Sequence, residues 1–68
     1  MQTFKIKDEY IQLNQLIKAI GWCENGADAN LLIENGKIKV NGEVEFRKRN
    51  KLMKGFKIDF NNQTVVIE

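Results

Sequence analysis

The spacing of apolar residues changes twice along this 68-residue chain, and those changes constrain the fold more than any other feature. Residues 3–7 alternate between apolar and polar, as a half-buried strand does. Leu13, Leu16, Ile17 and Ile20 recur at the spacing of one helix face. From Ile38 onwards, apolar residues instead alternate with polar ones, which is the period of a half-buried strand. A short chain that begins with a strand, continues with two helices and ends with four short strands is predicted to form one α+β domain over residues 1–68.

Two short helices are predicted between the two alternating parts of the chain. The first spans about residues 13–20, with Gln12 or Asn14 near its N-cap position and Gly21 as its C-terminal stop. The second ends at Asn35-Gly36 and has four apolar residues on its inner face: Ala27, Ala29, Leu32 and Ile33. Because neither helix is long enough to persist alone in water, we expect the two to pack against each other.

A small antiparallel sheet is predicted after the helices. Asn41-Gly42 lies between two alternating segments and is typical of a type I′ hairpin turn, in which both central residues have positive φ. A second turn is expected at Asn61-Asn62, and Gly36 is expected to have positive φ at the end of the second helix. Core packing, rather than base stacking, is the expected role of five aromatic residues: Phe4, Trp22, Phe46, Phe56 and Phe60.

The composition argues against several functions. Histidine and serine are absent and there is one cysteine, Cys23, so the chain has no Ser-His or Cys-His nucleophile and no ligand set for structural zinc. We therefore expect no enzymatic activity, no metal and no cofactor. A single cysteine also suits a reducing compartment, and no apolar run approaches the ~20 residues of a membrane span. These features predict a cytoplasmic protein without a membrane partner or a small-molecule substrate.

Cations are concentrated in one part of the sequence. Residues 1–46 contain five lysines and seven acids, whereas residues 47–68 contain six cations and two acids. All six cations lie between Arg47 and Lys57, with no acid among them. A local cluster of this kind is a feature of proteins that bind a polyanion, although it is also common in solvated loops.

The order of elements resembles a known family. Ala29-Asn30-Leu31-Leu32-Ile33-Glu34-Asn35-Gly36, followed by Lys37-Ile38-Lys39-Val40-Asn41-Gly42, is similar to the most characteristic stretch of the S-four-type RNA-binding domain. That domain is named after ribosomal small-subunit protein four and contains a two-helix αL motif followed by a hairpin. The resemblance covers about residues 9–60. Further residues are similar to its free-standing bacterial branch, the YaaA/YbcJ-like proteins: Gly21, Gly26, Glu43-Val44-Glu45, Arg47, Lys51 and Gly55.

The resemblance implies RNA binding across the two helices and the hairpin. Relatives usually carry Ser-Arg and a further basic residue at the start of the second helix, where this chain has Asn25-Gly26 and Asn30. Binding is therefore expected to depend more on the cations that follow the second helix. The RNA-binding residues predicted on this basis are Lys18, Asn25, Asn30, Lys37, Lys39, Asn41, Arg47, Lys48, Arg49 and Lys51.

The predicted function is non-catalytic binding of structured RNA by a monomer. The favoured targets are ribosomal RNA in ribosome assembly or function, a tRNA-like RNA or a ribosomal particle. The main alternative is a protein–protein adaptor whose cationic stretch meets an acidic partner. A DNA-binding module is less favoured, because neither predicted helix carries a run of cations suited to a major groove.

Overall fold

A computed structural model, which describes residues 2–68, contains two helices and seven short strands in that range. The helices are α1 (Leu13–Ala19) and α2 (Gly26–Glu34). The strands are β1 (Gln2–Phe4), β2 (Ile11–Gln12), β3 (Lys39–Val40), β4 (Glu43–Val44), β5 (Lys51–Leu52), β6 (Lys57–Phe60) and β7 (Gln63–Ile67). The α+β class and the two-helix αL arrangement predicted from the sequence are confirmed.

The two helices pack through the apolar faces that their spacing predicts. Leu13, Leu16 and Ile17 of α1 are fully buried, as are Ala29 and Ile33 of α2. Ala27 was expected on the inner face of α2 and is instead exposed, because two residues of helix rotate it by about 200° away from Ala29. Close approach of the helices therefore depends on Ala29 alone among these small residues.

The main sheet has the strand order β1-β7-β6-β3-β4. β3, β4, β6 and β7 are antiparallel, as predicted, whereas β1 adds to β7 in parallel and makes the sheet mixed. A second sheet pairs β2 with β5. Leu52 of β5 is completely buried, whereas Met53, the next residue, is half exposed.

The hairpin turn between β3 and β4 has the predicted geometry. Asn41 and Gly42 have φ of 53° and 88°, and Gly36 after α2 has φ of 71°. In the turn after β6, Asn61 and Asn62 also have positive φ. These residues are the types that adopt left-handed backbone most readily, which explains why the turn positions follow from the sequence.

Four of the five aromatic residues expected in the core do contact it. Phe4, Trp22, Phe56 and Phe60 are partly buried against the core, and the Trp22 and Phe60 rings lie 5.5 Å apart between centroids. The prediction for Phe46 was wrong, since this residue is 61% exposed. The two-residue turn pairs Val40 with Glu43 and Lys39 with Val44, so Val44 shares the outer face of the sheet with Lys39. Phe46, two residues further on, follows Val44 onto that face.

Candidate nucleic-acid interface

Residues 47–49, which we call the cationic loop, are attached to the beginning of α1 through backbone hydrogen bonds. The amides of Leu13 and Asn14 donate to the carbonyl oxygens of Asn50 and Lys48, both at 2.9 Å. These bonds satisfy two of the amides that a helix leaves unpaired at its N-terminus, where Gln12 supplies no side-chain cap. The loop is therefore held at a fixed place beside the helices, although it has no regular structure of its own.

Two of the three cations in the cationic loop are paired with carboxylates. Arg47 donates from Nε to Oε1 of Glu45 at 2.7 Å and from Nη2 to Oε2 at 3.3 Å. Lys48 Nζ lies 2.7 Å from Oε1 of Glu34, the last residue of α2. Arg49 is exposed and has no ion pair within residues 2–68. The loop thus presents less net positive charge than its sequence indicates.

The Glu45–Arg47 contact also shifts the pKa of both groups. Hydrogen bonding from Arg47 lowers the pKa of the Glu45 carboxyl, and the same bond raises the pKa of Arg47. Both shifts favour the charged forms. A lowered pKa is the opposite of what a general acid needs.

A second group of cations lies on the outer face of the β3–β4 hairpin. Lys37 and Lys39 are exposed, whereas Ile38 and Val40 between and after them are buried. Asp59 of β6 lies across from Lys39, but its carboxylate accepts a hydrogen bond from the Thr64 hydroxyl. Neither lysine has an ion pair among the described residues.

The same outer face carries two exposed apolar side chains. Val44 is 42% exposed and Phe46 is 61% exposed. A Cβ placed on Gly36 would lie 3.5 Å from Cε1 of Phe46 and 3.6 Å from Cγ1 of Val44, so both side chains rest against the turn that ends α2. We call these two residues, together with Lys37 and Lys39, the hairpin face.

The cationic loop and the hairpin face meet at the C-terminal end of α2. Lys48 of the loop pairs with Glu34, and Phe46 of the hairpin face lies against Gly36, two residues further along the chain. The two groups therefore form one surface, with the end of α2 between them. This meeting of the two groups at the end of α2 is the main feature of the candidate site.

Three of the predicted asparagines have contacts within the fold. Asn25 caps α2 by accepting a hydrogen bond from the Asp28 amide at 2.9 Å. Asn41 accepts from the Lys57 amide, also at 2.9 Å, and joins the hairpin turn to β6. Asn30 accepts from Nδ2 of Asn14 at 3.4 Å across the two helices. RNA contact by these asparagines stays a prediction, and each would make it in addition to a structural contact.

The two remaining predicted residues lie on either side of the cationic loop. Lys18 is exposed on α1, one turn after Asn14, whose amide bonds to the loop. Lys51 begins β5, and its Nζ lies 4.9 Å from the centroid of the Tyr10 ring in a cation–π contact. Tyr10 itself is 40% exposed.

The cysteine and the acidic side chains of residues 2–68 are exposed or only partly buried. Among residues 2–68, no polar or charged residue is fully buried, and no group of three or more Cys, Asp or Glu residues is placed to hold a metal. Burial raises the pKa of the Cys23 thiol, with a smaller contribution from Asp28, which disfavours the reactive thiolate. Across the same residues, neither helix has the length and apolarity needed to traverse a bilayer.

The fold is that of a small αL-motif domain, and sequence comparison identifies the family. The S4 domain family matches residues 4–68, so the chain belongs to it. YbcJ of Escherichia coli K-12, named "Putative RNA-binding protein YbcJ", is 40% identical over 68 residues, which cover 98% of this chain and 97% of YbcJ. "Uncharacterized protein YbcJ" of Shigella flexneri matches with the same identity and coverage.

A solved structure of a relative has the same architecture. The solution structure of YbcJ from E. coli is described as revealing an αL motif involved in RNA binding. It matches this chain with a TM-score of 0.74 at 40% identity, over 98% of this chain and 86% of that one. The resemblance to the free-standing bacterial branch of the family is therefore confirmed.

Proposed function

We propose that this protein binds structured RNA without catalysing a reaction, and that its target is ribosomal RNA in ribosome assembly or function. The observation that carries the proposal is the single surface formed at the end of α2 by the cationic loop and the hairpin face. Membership of the S4 domain family and the similarity to YbcJ support it. A cytoplasmic monomer without a cofactor is part of the same proposal.

The lysines of the hairpin face are the strongest candidates for phosphate contact. Lys37 and Lys39 lie on the same side of one extended segment, about 7 Å apart by the rise of a strand. Two cations at such a spacing can contact neighbouring phosphates along a single RNA strand. Because neither is paired with a carboxylate among the described residues, neither has to lose an ion pair in order to bind.

The cationic loop contributes mainly through Arg49 in this proposal. An arginine can form two hydrogen bonds to a phosphate or stack on an exposed base. Arg47 already uses Nε and Nη2 on Glu45, and a phosphate approaching Arg47 or Lys48 also meets a carboxylate. Since the loop backbone is fixed to α1, little backbone freedom is lost when Arg49 binds RNA, although its side chain still has to be ordered.

The helix side of the surface has a secondary role. Lys18 and Asn30 are placed on the two packed helices, and Asn25 lies at the start of α2. A neutral amide that exchanges a water for an RNA oxygen gains little net free energy. We therefore expect Asn25, Asn30 and Asn41 to orient bound RNA, and Lys18 and Lys51 to add charge at its margins.

An adaptor for an acidic protein is the alternative that uses the same cations. Both functions depend on salt, so salt alone does not separate them. The separating experiment is to capture the tagged protein from cells, with and without RNase treatment before washing. RNA binding predicts that crosslinked RNA is recovered and that co-purifying proteins disappear after RNase. A protein partner that is retained after RNase, with no crosslinked RNA, would contradict the proposal.

The nature of the RNA is tested by sequencing what is crosslinked. Enrichment of ribosomal RNA segments at defined positions is the expected result, and enrichment of tRNA would identify the second target class. A matched control is the Lys5→Gln, Lys7→Gln variant, which loses two exposed cations from the segment before β2. We expect it to crosslink like the wild type, whereas Lys37→Gln, Lys39→Gln should lose most of the signal.

A further inference from the structure

The exposure of Phe46 has no explanation in the packing of the fold. Its ring is the most exposed large apolar side chain of the described residues, at 61%. The neighbouring Val44 is 42% exposed, and both lie on the edge strand side of the sheet, outside the buried cluster. A phenyl ring has no polar atom that water can hydrogen-bond, so its exposure costs free energy in the unbound protein.

The ring is nevertheless held in place. Cε1 and Cζ of Phe46 lie against Gly36, at 3.5 and 3.7 Å from the position of an added Cβ, and Cγ1 of Val44 lies against the same point. Gly36 has φ of 71°, a conformation that disfavours any side chain, and so the ring edge can approach its backbone. An aromatic side chain fixed along one edge, with most of its area in solvent, can receive a flat ligand.

The charges around the ring decide which ligand fits. Lys39 is directly opposite Val44 across the hairpin, and the Glu45 amide bonds to the Ile38 carbonyl, which extends the pairing towards Lys37 and Phe46. The two lysines thus border the apolar pair on its β3 side. A flat apolar surface bordered by cations matches a nucleotide, in which a planar base adjoins an anionic phosphate, better than it matches an apolar protein surface.

We propose that Phe46 is the stacking platform for one unpaired base of the bound RNA, while Lys37 and Lys39 contact the phosphates next to that base. This inference rests on the proposed function and makes it more specific. Bases within an RNA helix have both faces covered by their neighbours, so only a loop, bulge or end can offer a base to the ring. The protein therefore distinguishes an RNA helix with an unpaired segment from a continuous duplex.

The experiment compares two RNA probes and two Phe46 variants. One probe is a hairpin with a loop of unpaired uridines, and the other is a blunt duplex with the same number of phosphates. Phe46→Leu keeps an apolar side chain but has no aromatic face, whereas Phe46→Trp keeps the face. Met53→Ala is the matched control, because Met53 is also half exposed but lies outside the hairpin face.

The proposal predicts that Phe46→Leu binds the uridine-loop hairpin about tenfold more weakly than the wild type, equal to about 1.4 kcal/mol. Phe46→Trp and Met53→Ala should stay within about twofold of the wild type, and none of the variants should change affinity for the duplex. In the wild type, a 5-iodouridine in the loop should photo-crosslink to Phe46, as identified by mass spectrometry.

Contrary results separate this inference from the proposed function. Base stacking on Phe46 is contradicted if Phe46→Leu binds the hairpin as well as the wild type does, or if the crosslink maps to another residue. The proposed function of RNA binding is unaffected by either result. If the wild type binds neither probe at low salt, both proposals fail. If Phe46→Leu alters only self-association in analytical ultracentrifugation, the patch is a contact between copies, which also overturns the platform.

Discussion

The cationic loop and the hairpin face contain similar numbers of cations but differ in how those charges are used. In the loop, Arg47 and Lys48 are paired with Glu45 and Glu34, which leaves Arg49 as its free cation among the described residues. On the hairpin face, Lys37 and Lys39 are exposed and unpaired. The three consecutive cations of residues 47–49 therefore leave fewer unpaired charges than the two lysines of the hairpin face. We therefore assign most of the RNA affinity to the hairpin face.

Removal of the hairpin lysines is expected to have the largest effect on RNA affinity. If each lost phosphate contact is worth about 1 kcal/mol, Lys37→Gln with Lys39→Gln should weaken binding about thirtyfold in a titration with structured RNA. The matched variant Glu45→Gln, Arg47→Gln removes a complete ion pair with no change in net charge, and should stay within about threefold. A larger loss from the second variant than from the first would reverse the assignment.

The contact between the hairpin face and the end of α2 can be tested through two glycines. Gly36 and Gly42 both have positive φ, so a valine at either position is strained by roughly 1–2 kcal/mol. Around Gly42 there is open space, whereas the additional methyl groups at Gly36 would displace Phe46 and Val44. Gly36→Val should therefore lower the melting temperature more than Gly42→Val, with each kcal/mol worth about 4–8 °C in a domain of this size.

This comparison has a clear contrary result. Equal melting temperatures for the two valine variants would mean that Phe46 and Val44 do not rest on Gly36 in solution. An unchanged melting temperature for Gly36→Val relative to the wild type would mean that α2 does not end in a left-handed residue at this position. Either outcome would mean that the hairpin face and the cationic loop do not meet at the end of α2 as described.

Loss of the Glu45–Arg47 pair in acid is expected to have the smallest effect, and that effect is on stability. The pair is on the surface, where an ion pair contributes little to the free energy of unfolding. Hydrogen bonding from Arg47 holds the pKa of Glu45 below its ordinary value near 4.5. A pKa lowered by folding stabilises the folded state above the ordinary value, and this contribution is lost as the pH falls through the lowered pKa. Glu45→Gln should thus be slightly less stable than the wild type at neutral pH in chemical denaturation. The difference should disappear in acid, and a difference that grew in acid would contradict the pairing.

Local patterns in the sequence were sufficient for the helices and the hairpin. The 3–4 spacing from Leu13 to Ile20 and the Asn41-Gly42 turn depend on interactions within a few residues, and both predictions are confirmed. The outward position of Phe46 was also encoded locally. A two-residue turn places residues 40 and 43 opposite each other, so Val44 and Phe46 must lie on the face opposite Val40. The apolar character of Phe46 favoured a core position, whereas this rule requires an outward one. The prediction of core packing for Phe46 was therefore wrong.

Other features depend on tertiary packing and have no local signal. The parallel pairing of β1 with β7 joins the two ends of the described chain, and the pairing of β2 with β5 joins residues about 40 positions apart. The Lys48–Glu34 ion pair exists only because the loop backbone docks on α1. The sequence could therefore identify the cations of the candidate site but could not determine which of them are neutralised by a neighbour.

The most direct test of the central claim is the salt dependence of RNA affinity for the wild type and two variants. With about three to five phosphate contacts, the log–log slope for the wild type should be roughly −2 to −4. Lys37→Gln with Lys39→Gln should flatten the slope by about 1.4–1.8, since each phosphate contact contributes about 0.7–0.9. Glu45→Gln with Arg47→Gln should leave the slope unchanged. A flat slope in the wild type would contradict phosphate-led binding. A slope that changes only when the loop ion pair is removed would place the bound phosphates on the cationic loop instead of the hairpin face.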